Sequence, residues 1–415
     1  MPTLFLVYQL LVLSVLLALL GIVITNLLVL PRLVDFSPGN AGVRPLQEDI
    51  GDDMQRVRVP KPLVAVLVPA RNEEANIEAC LLSLFGQDYP NMQVWLYDDA
   101  STDGTARIAA RLAGLAEGWL RVVVGEGGPP EGWLGKANAC HRLYGEMRAR
   151  IQPDYVLFTD ADVRFAPSAV SCAVAAAQAR GAGLLSVFPR QVMVTWAERL
   201  AVPILLHWAV YTFLPLPLAF SPRTRPAFAA ANGQFMLFTR EAYEACGGHA
   251  AVKSEVLEDV AMARAVKRAG RRALLADGGP LVRTRMYGSA SEVWQGYSKN
   301  AYAFFGYSPF FLAIGIITLT VLYLLPIPIA LYSALSTQHS ALAYVALAQY
   351  GAAVLGRLLL AARFGYRAWD ALLHPVAIAF LIAIALNSMR WSLTGKGAWK
   401  GRATLPHKGP HEPQS

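Results

Sequence analysis

Charged residues are scarce in this 415-residue sequence, where they make up 16% of the chain. Soluble domains usually carry about a quarter. The scarcity is also uneven, because apolar residues concentrate at the N-terminus and after residue 304, whereas charge concentrates between residues 45 and 300. This pattern argues against an ordinary soluble protein and predicts a polar domain held between membrane segments.

A basic surface of the kind that binds nucleic acid is also missing. The net charge is +8, but the basic residues form no stripe interleaved with aromatic residues. Many of them lie near the ends of apolar stretches or in the C-terminal tail, which favours attraction to anionic lipid headgroups. Some of the others can serve a site for a nucleotide diphosphate. We therefore predict a membrane partner and no nucleic acid.

Cysteine is rare, and no two cysteines form a CxxC pair. The four are Cys80, Cys140, Cys172 and Cys246. Their spacing argues against a zinc site and against a disulfide framework. We expect buried, reduced thiols in a cytoplasmic domain.

The N-terminal segment lacks charge altogether over residues 3–30, which exceeds the roughly 20 residues that a bilayer requires. It also lacks the basic start and the cleavage site of a signal peptide. We predict that residues 1–31 are an uncleaved transmembrane anchor. Arg32 follows directly, so the positive-inside rule places that end in the cytoplasm.

Three further apolar stretches, 308–334, 340–362 and 369–389, predict C-terminal membrane helices within residues 305–390. The basic tail, 391–415, should be cytoplasmic. If all three stretches crossed the membrane the tail would end outside, so we expect one of the last two to be re-entrant, tilted or interfacial. The prediction is a multi-pass protein of the inner (plasma) membrane.

Residues 201–220 are also apolar, but Pro203, Pro215 and Pro217 interrupt them. Proline removes helix hydrogen bonds that lipid cannot replace. An interfacial segment on the bilayer surface is therefore the better prediction, and it would bring a lipid to the polar domain.

The polar domain, residues 60–300, alternates short apolar runs with helical patterns. Such alternation predicts an α/β fold with a doubly wound, mainly parallel sheet. Ser101 is a plausible helix N-cap. The predicted strands are 64–70, 91–99, 121–126 and 154–162.

Acidic residues cluster where these strands end. Asp98 and Asp99 close the second strand, and Asp160 and Asp162 close the fourth. Ligands of such sheets bind beyond the carboxyl ends of the strands, so these acids are candidate site residues. Asp160 and Asp162 can share one Mg²⁺ or Mn²⁺ ion, although a lone DxD also fits a solvated turn. Asp98 and Asp99 can bind a nucleoside or can simply cap a loop.

Two further candidates have plain structural alternatives. Lys136 follows a Gly/Pro loop that lacks P-loop spacing, so it can neutralise a diphosphate or can be a surface lysine. Glu258 and Asp259 open an amphipathic helix, where acids are favoured by the helix dipole alone. Their functional interpretation is a general base that takes a proton from an acceptor hydroxyl.

Taken together, the motifs resemble the family 2 glycosyltransferases, which have the GT-A fold. They occur in the family's order and cover about residues 63–300. They are VPARNEE (68–74), YDDASTDGT (97–105), GWLGKANA (132–139), TDAD (159–162), NGQFMLF (232–238) and LED (257–259).

The resemblance implies an inverting, metal-dependent transfer from a nucleotide sugar, with a UDP-sugar favoured. Asp160 and Asp162 look like the motif that binds the metal and the diphosphate, and Asp259, beside Glu258, looks like the catalytic base. Gln234 is a possible acceptor or diphosphate contact. The residues that would hold the donor are Pro69, Ala70, Arg71, Glu73, Asp98, Asp99, Lys136 and Asp160.

One departure from the family is informative. Processive polysaccharide synthases carry a QxxRW motif, whereas this chain reads EVWQGYSKN at 292–300. Transfer of a single sugar is therefore expected. Together with GAWKGR (397–402), this segment is similar to the bacterial branch that glycosylates carotenoids or hopanoid-associated lipids. Trp294 and Lys299 can bind donor diphosphate or acceptor, or can anchor the chain at the interface.

We therefore expect a membrane-bound transferase acting on a lipid at the cytoplasmic face. The alternatives are a polyprenyl-phosphate sugar synthase, a catalytically inactive scaffold with the same fold, or a transporter. The set of Asp99, Asp160, Asp162 and Asp259 argues against a scaffold, and the large polar insertion argues against a transporter.

Overall fold

The computed structural model describes residues 2–37, 61–116, 118–221, 223–335 and 340–395, together with the backbone of 398–399 and 402–403. Most of the predicted basic tail therefore lies outside the described residues.

The chain divides into two compact units. The α/β unit comprises Leu30–Val192 and Leu218–Met286, and the helical unit comprises Met1–Val29, Met193–Pro217 and Tyr287–Ser415. The predicted domain boundaries follow membrane segments and motifs rather than this division, and they stay predictions.

Twelve strands are present in the described residues. They are β1 (Val64–Ala70), β2 (Met92–Asp98), β3 (Leu120–Val124), β4 (Tyr155–Thr159), β5 (Val163–Phe165), β6 (Leu184–Phe188), β7 (Arg190–Gln191), β8 (Phe235–Thr239), β9 (Ala273–Asp277), β10 (Val282–Thr284), β11 (Ala398–Trp399) and β12 (Arg402–Ala403).

Fifteen α-helices are present in the described residues. They are α1 (Pro2–Val29), α2 (Ile77–Phe85), α3 (Thr105–Leu115), α4 (Gly135–Arg148), α5 (Ala169–Arg180), α6 (Trp196–Val202), α7 (Ala209–Phe213), α8 (Leu216–Phe220), α9 (Arg240–Ala245), α10 (Glu258–Arg268), α11 (Ala290–Ser298), α12 (Pro309–Leu319), α13 (Pro326–Leu335), α14 (Ser340–Phe364) and α15 (His374–Thr394).

A seven-stranded sheet in the order β3-β2-β1-β4-β8-β6-β9 forms the centre of the α/β unit. Its pairings are parallel except those of β8, which runs antiparallel to both β4 and β6. The α/β fold with a mainly parallel sheet is thus confirmed. From β1 the chain continues to β2 and β3 on one side, and it then crosses to β4 on the other side of β1. A topological switch point therefore lies between β1 and β4.

Apolar side chains cover both faces of this sheet. In β1, Val64, Val66 and Val68 belong to one hydrophobic cluster, whereas Ala65 and Leu67 belong to the other. Successive strand residues point to opposite faces, so a continuous apolar run is what a strand buried on both sides requires. The strand is held from both faces, which fixes the loop that follows it at the carboxyl edge.

Two local predictions were wrong. The fourth strand ends at Thr159 rather than at residue 162, because the chain turns at Asp160 and Asp162. Ser101 is not an N-cap, since α3 begins at Thr105 and its N-cap position is Gly104. The Ser101 hydroxyl instead accepts a hydrogen bond from the backbone N–H of Asn72 at 3.0 Å.

A second, three-stranded sheet lies in the same unit. In it β10 pairs with β5 antiparallel and with β7 parallel. Because β5 begins directly after Asp162, this small sheet fixes the turn that carries the acidic pair.

The helical unit contains four helical segments that are long and apolar enough to cross a membrane: Leu4–Val29, Pro309–Leu335, Ala341–Phe364 and Ala368–Thr394. All three C-terminal stretches meet this criterion, so the expected re-entrant or interfacial segment stays a prediction.

The proline-containing segment predicted as interfacial is largely helical. A π-helical turn, Pro203–Trp208, joins α6 to α7, and the helix ends at Phe213 before Pro215. The wider turn accommodates a proline that cannot donate to the helix. Its placement on the bilayer surface stays a prediction.

Polar side chains fix two contacts of α1 inside the helical unit. Gln349 donates to the backbone carbonyl and side chain of Gln9 at 2.7 and 3.0 Å. The fully buried Asn26 donates to the carbonyls of Tyr211 and Leu214, both at 2.8 Å, and accepts from the N–H of Leu216 at 2.7 Å. Asn26 thereby satisfies backbone groups at the end of α7.

Candidate active site

Two loops at the carboxyl edge of the sheet are joined by hydrogen bonds. Arg71, after β1, donates to the backbone carbonyls of Asp99 and Ala100, after β2. The N–H of Glu73 donates to the Thr105 hydroxyl at 2.8 Å. Asn72 and Ala100 both have φ of 51°, a region that non-glycine residues seldom adopt. These contacts hold both loops in one conformation at the end of the parallel strands.

Asp98 and Asp99 lie at the bottom of this pair of loops and are 2% and 5% exposed. The N–H of Asp99 donates to the carbonyl of Ala70 at 2.8 Å, which fixes β2 against Pro69–Ala70. Asp98 Oδ1 is buried and has no hydrogen-bond partner among the described residues. A buried carboxylate oxygen without a partner is costly, so this site favours a ligand that donates a hydrogen bond.

Lys136, in the first turn of α4, contacts two carboxylates from other elements. Its Nζ lies 2.7 Å from Asp160 Oδ1 and 3.1 Å from Glu258 Oε1. Burial alone lowers the pKa of Lys136, but Asp160 and Glu258 raise it well above its ordinary value. The ammonium therefore stays charged and joins the DxD turn to the start of α10.

Asp162 is placed by the small sheet, where the Thr284 hydroxyl donates to its backbone carbonyl at 3.2 Å. Its Oδ1 atom is buried and has no hydrogen-bond partner among the described residues. Burial, followed by the carboxylates of Asp160 and Glu73, raises the pKa of Asp162 to about 7. The side chain therefore lies where a cation would stabilise its charged form.

Asp160 and Asp162 fit a divalent cation. The unpartnered Asp162 oxygen supplies one hard oxygen ligand, and Asp160, in the same turn, supplies a second carboxylate, one oxygen of which is paired with Lys136. Within the described parts of the chain, no group of three or more His, Cys, Asp or Glu side chains is arranged around a common point. A bound ion would thus need further ligands from substrate or water, as Mg²⁺ commonly does.

Asp259 is oriented by two backbone N–H groups. Gly233 donates to its Oδ2 at 3.0 Å and Val260 donates to its Oδ1 at 2.8 Å. Burial, followed by repulsion from Glu258, raises the pKa of Asp259 to about 6, although the two N–H groups and Lys136 act in the opposite direction. A carboxylate with this pKa is ionised at neutral pH and accepts a proton more readily than an ordinary aspartate.

Gly233 makes the close approach of these groups possible. A Cβ atom at this position would lie 3.1 Å from Lys136 Nζ and 3.5 Å from Asp259 Cβ. A larger side chain would therefore press on both catalytic candidates.

The structure adds residues that sequence reasoning missed. Gln191, in β7, donates to Gln234 Oε1 at 3.1 Å, and the Thr159 hydroxyl donates to the Gln234 carbonyl at 2.8 Å. Thr284 holds the DxD turn. The predicted contact residue Gln234 is therefore a buried, fixed side chain. The Gln191 strand has only two residues and gives no periodic signal in the sequence.

Trp294 and Lys299 are not part of the α/β unit. Trp294 lies in α11 of the helical unit, where its ring is 5.8 Å from that of Phe380. Lys299 is the C-cap of the same helix. Their contribution to acceptor or diphosphate binding stays a prediction.

The cysteines are as expected in one respect. All four are buried and free. Burial raises the pKa of Cys80 to about 12, so its thiol stays protonated at neutral pH. The thiol donates to the backbone carbonyl of Asp160, which lies 3.9 Å from the sulfur.

The architecture is that of known glycosyltransferases. A mannosyltransferase, PcManGT from Pyrobaculum calidifontis, solved in complex with GDP-Man and Mn²⁺, has a similar fold. The TM-score is 0.50 at 20% identity, with 91% of this chain and 99% of that chain covered. The mixed, mainly parallel sheet of the α/β unit thus has the GT-A fold.

The sequence comparisons point to the same class of enzyme. Residues 65–258 match the family described as glycosyl transferase family 2. It is 30% identical over 240 residues to the 4,4'-diaponeurosporenoate glycosyltransferase of Staphylococcus aureus (strain USA300). That match covers 57% of this chain and 60% of the relative, so the alignment leaves a large part of both proteins unmatched.

Proposed function

We propose that the protein is an inverting glycosyltransferase that moves one sugar from a nucleotide-diphosphate sugar to a lipid hydroxyl at the cytoplasmic membrane face. The observation that carries the proposal is the cluster in which Lys136 bridges Asp160 and Glu258, with Asp259 oriented beside it by Gly233. These groups come from three separate elements, and each fits one part of the transfer.

The donor nucleoside would bind at the joined loops after β1 and β2. Asp98 and Asp99 accept hydrogen bonds from a base or a ribose, and Arg71, Glu73 and the Pro69–Ala70 turn hold the loop conformation. The support is the buried Asp98 oxygen without a partner, together with the pairing of Arg71 with the Asp99 and Ala100 carbonyls. UDP-sugars are the favoured donors.

The diphosphate would lie beside Lys136 and the DxD pair. Asp160 and Asp162 would hold Mg²⁺ or Mn²⁺, which supplies Lewis-acid stabilisation of the diphosphate. Lys136 neutralises part of the same charge and limits the repulsion between Asp160 and Glu258. The mannosyltransferase that shares the fold was solved with Mn²⁺, which supports this part of the proposal.

Asp259 would act as the base. Its carboxylate takes the proton of the acceptor hydroxyl as that oxygen bonds to the anomeric carbon. The bond from this carbon to the diphosphate oxygen breaks at the same time, and the nucleoside diphosphate leaves with the electron pair. Attack from the side opposite the leaving group inverts the anomeric centre. The pKa of about 6 keeps Asp259 ionised at neutral pH, as the step requires.

The acceptor class and the cellular placement rest on other observations. Four helical segments in the described residues are long and apolar enough to cross a membrane, and a relative is named 4,4'-diaponeurosporenoate glycosyltransferase. The helical segments support a multi-pass membrane protein, and the relative supports a lipid acceptor. We place the catalytic domain on the cytoplasmic side of the plasma membrane because the basic Arg32 directly follows the first helix.

Transfer by purified membranes tests the proposal. A panel of UDP- and GDP-sugars is incubated with Mn²⁺ and a total lipid extract, and the labelled lipid is extracted. We expect one donor to label lipid, and Asp259→Asn to lower the rate about 10²- to 10⁴-fold, as loss of a general base does. Glu146→Gln, which changes an exposed acid paired with Arg150, is the matched control and should keep full activity.

Full activity of Asp259→Asn would show that another group is the base. Absence of transfer from every donor, with nucleotide still bound, would support the inactive scaffold instead.

A further inference from the structure

Arg357 is a buried cation within the helical unit. It lies in the candidate membrane-spanning segment Ala341–Phe364, seven residues before its end, which is about 10 Å along the helix axis. The residue is 5% exposed, and its Nη1 has no hydrogen-bond partner among the described residues. Ionisable residues inside membrane helices are costly and usually have a binding role.

The nearby acid does not compensate Arg357. Asp370 is close enough to act electrostatically on Arg357. Its two carboxylate oxygens, however, bind Arg199 through Nε and Nη2, both at 3.1 Å. Asp370 is therefore paired with Arg199, and its single negative charge stands against two guanidinium charges, so these three residues together carry a net positive charge.

His374 adds two further polar atoms without partners. It is fully buried, and neither ring nitrogen has a hydrogen-bond partner in the described chain. Its ring packs edge-on against Trp208 and Tyr323, with centroid distances of 5.1 and 5.0 Å. The ring is thus fixed by aromatic contacts, and it is close enough to Arg357 to feel its charge.

These groups have a common requirement. A buried donor without an acceptor costs free energy, and a buried guanidinium without a counter-charge costs more. The chemistry that satisfies Arg357 and His374 together is an anionic group with at least two oxygen acceptors, as in a carboxylate or a phosphate. Because the segment Ala341–Phe364 is predominantly apolar, we expect a ligand that reaches this depth to carry a long apolar chain.

We propose that Arg357 and His374 form a binding site for the acidic group, carboxylate or phosphate, of a membrane lipid. The site goes beyond the transferase function and does not depend on it, since all of its residues belong to the helical unit.

Thermal unfolding of the purified, delipidated full-length protein in a neutral detergent tests the site without any sugar nucleotide. The probes are dioleoyl phosphatidic acid, stearic acid, stearyl alcohol and inorganic phosphate. We expect the two acidic lipids to raise the unfolding midpoint, and the alcohol and free phosphate to leave it unchanged. In Arg357→Met the apparent affinity for the acidic lipids should fall at least about tenfold, as expected for loss of a charged hydrogen-bond donor.

The variants also separate binding from folding. Without lipid, Arg357→Met should unfold at the same temperature as the unchanged protein or higher, because it removes an uncompensated charge. His374→Phe keeps the ring and should also weaken lipid binding. The exposed Arg367 provides the matched control, since Arg367→Gln should keep the full lipid effect.

The proposal is overturned if Arg357→Met and His374→Phe respond to acidic lipid as the unchanged protein does. It is also overturned if stearyl alcohol or inorganic phosphate reproduces the effect, or if the unchanged protein shows none.

Discussion

In the α/β unit, one buried oxygen without a hydrogen-bond partner among the described residues belongs to the carboxylate of Asp162, whereas in the helical unit one such nitrogen belongs to the guanidinium of Arg357. Burying either group without a hydrogen-bond partner costs free energy. The two differ in the ligand that would satisfy them, a cation for Asp162 and an anion for Arg357. At these two sites, the charge of the group without a partner indicates the charge of the ligand that we propose for it.

The largest expected effect tests the cation side of this comparison. Asp162→Asn keeps the shape of the side chain and removes its charge, so we expect sugar transfer to fall about 10²- to 10³-fold because the metal is lost. EDTA should abolish transfer by the unchanged protein, and Mn²⁺ should restore it. Initial rates over a Mn²⁺ titration measure both effects, with the exposed Asp88→Asn as the control.

The same variant sharpens the parallel with Arg357. In EDTA, Asp162→Asn should be as stable to heat as the unchanged protein, or more stable, because the charge of a buried carboxylate has been removed. A marked loss of stability would mean that Asp162 is a structural acid, and the comparison would fail.

A smaller effect is expected at Lys136, a cation with two carboxylates beside it. Lys136→Met leaves Asp160 and Glu258 facing each other, so it should lower stability, whereas Arg357→Met should not. We expect kcat/KM for the donor to fall about 10- to 100-fold, because the positive charge that Lys136 places beside the diphosphate is lost. Lys136→Arg should recover part of the loss, and Lys61→Met, outside the site, should leave kcat/KM unchanged.

The smallest effect is a shift of the pH profile. Because Asp259 must be ionised to act as a base and its pKa is raised to about 6, kcat should fall about tenfold per pH unit below that value and level off above it. Glu258→Gln removes the repelling charge and should move the inflection to lower pH. An unchanged inflection in Glu258→Gln would assign the titration to another group.

The sequence was sufficient to predict the parts of the fold that depend on local pattern. A continuous apolar run predicts β1 because the strand is buried on both faces, and the acids after β2 and β4 follow from the shared carboxyl edge. The antiparallel strand β8 was not predicted, because direction depends on the path between strands and leaves no local trace.

The candidate site was only partly predictable. Lys136, Asp160 and Glu258 were separate and individually weak candidates, and the contact among them depends on how α4 and α10 pack. Gln191 and Thr284 lie in strands of two and three residues, too short for any periodicity. Ser101 looked like a helix cap because its residue type suits one, but its hydroxyl joins the two loops instead.

Asn26 has a consequence for how freely the parts of this protein can be exchanged. An N-terminal membrane helix is often regarded as a simple anchor, in which any apolar residue can replace any other. Here one amide side chain completes three main-chain hydrogen bonds of the segment from Tyr211 to Leu216. A substitute helix of equal length and hydropathy, but without an amide at this position, would leave those buried backbone groups without hydrogen-bond partners. The first helix is therefore specific to this protein, and a gene fusion or recombination event that replaces it must keep an asparagine at position 26.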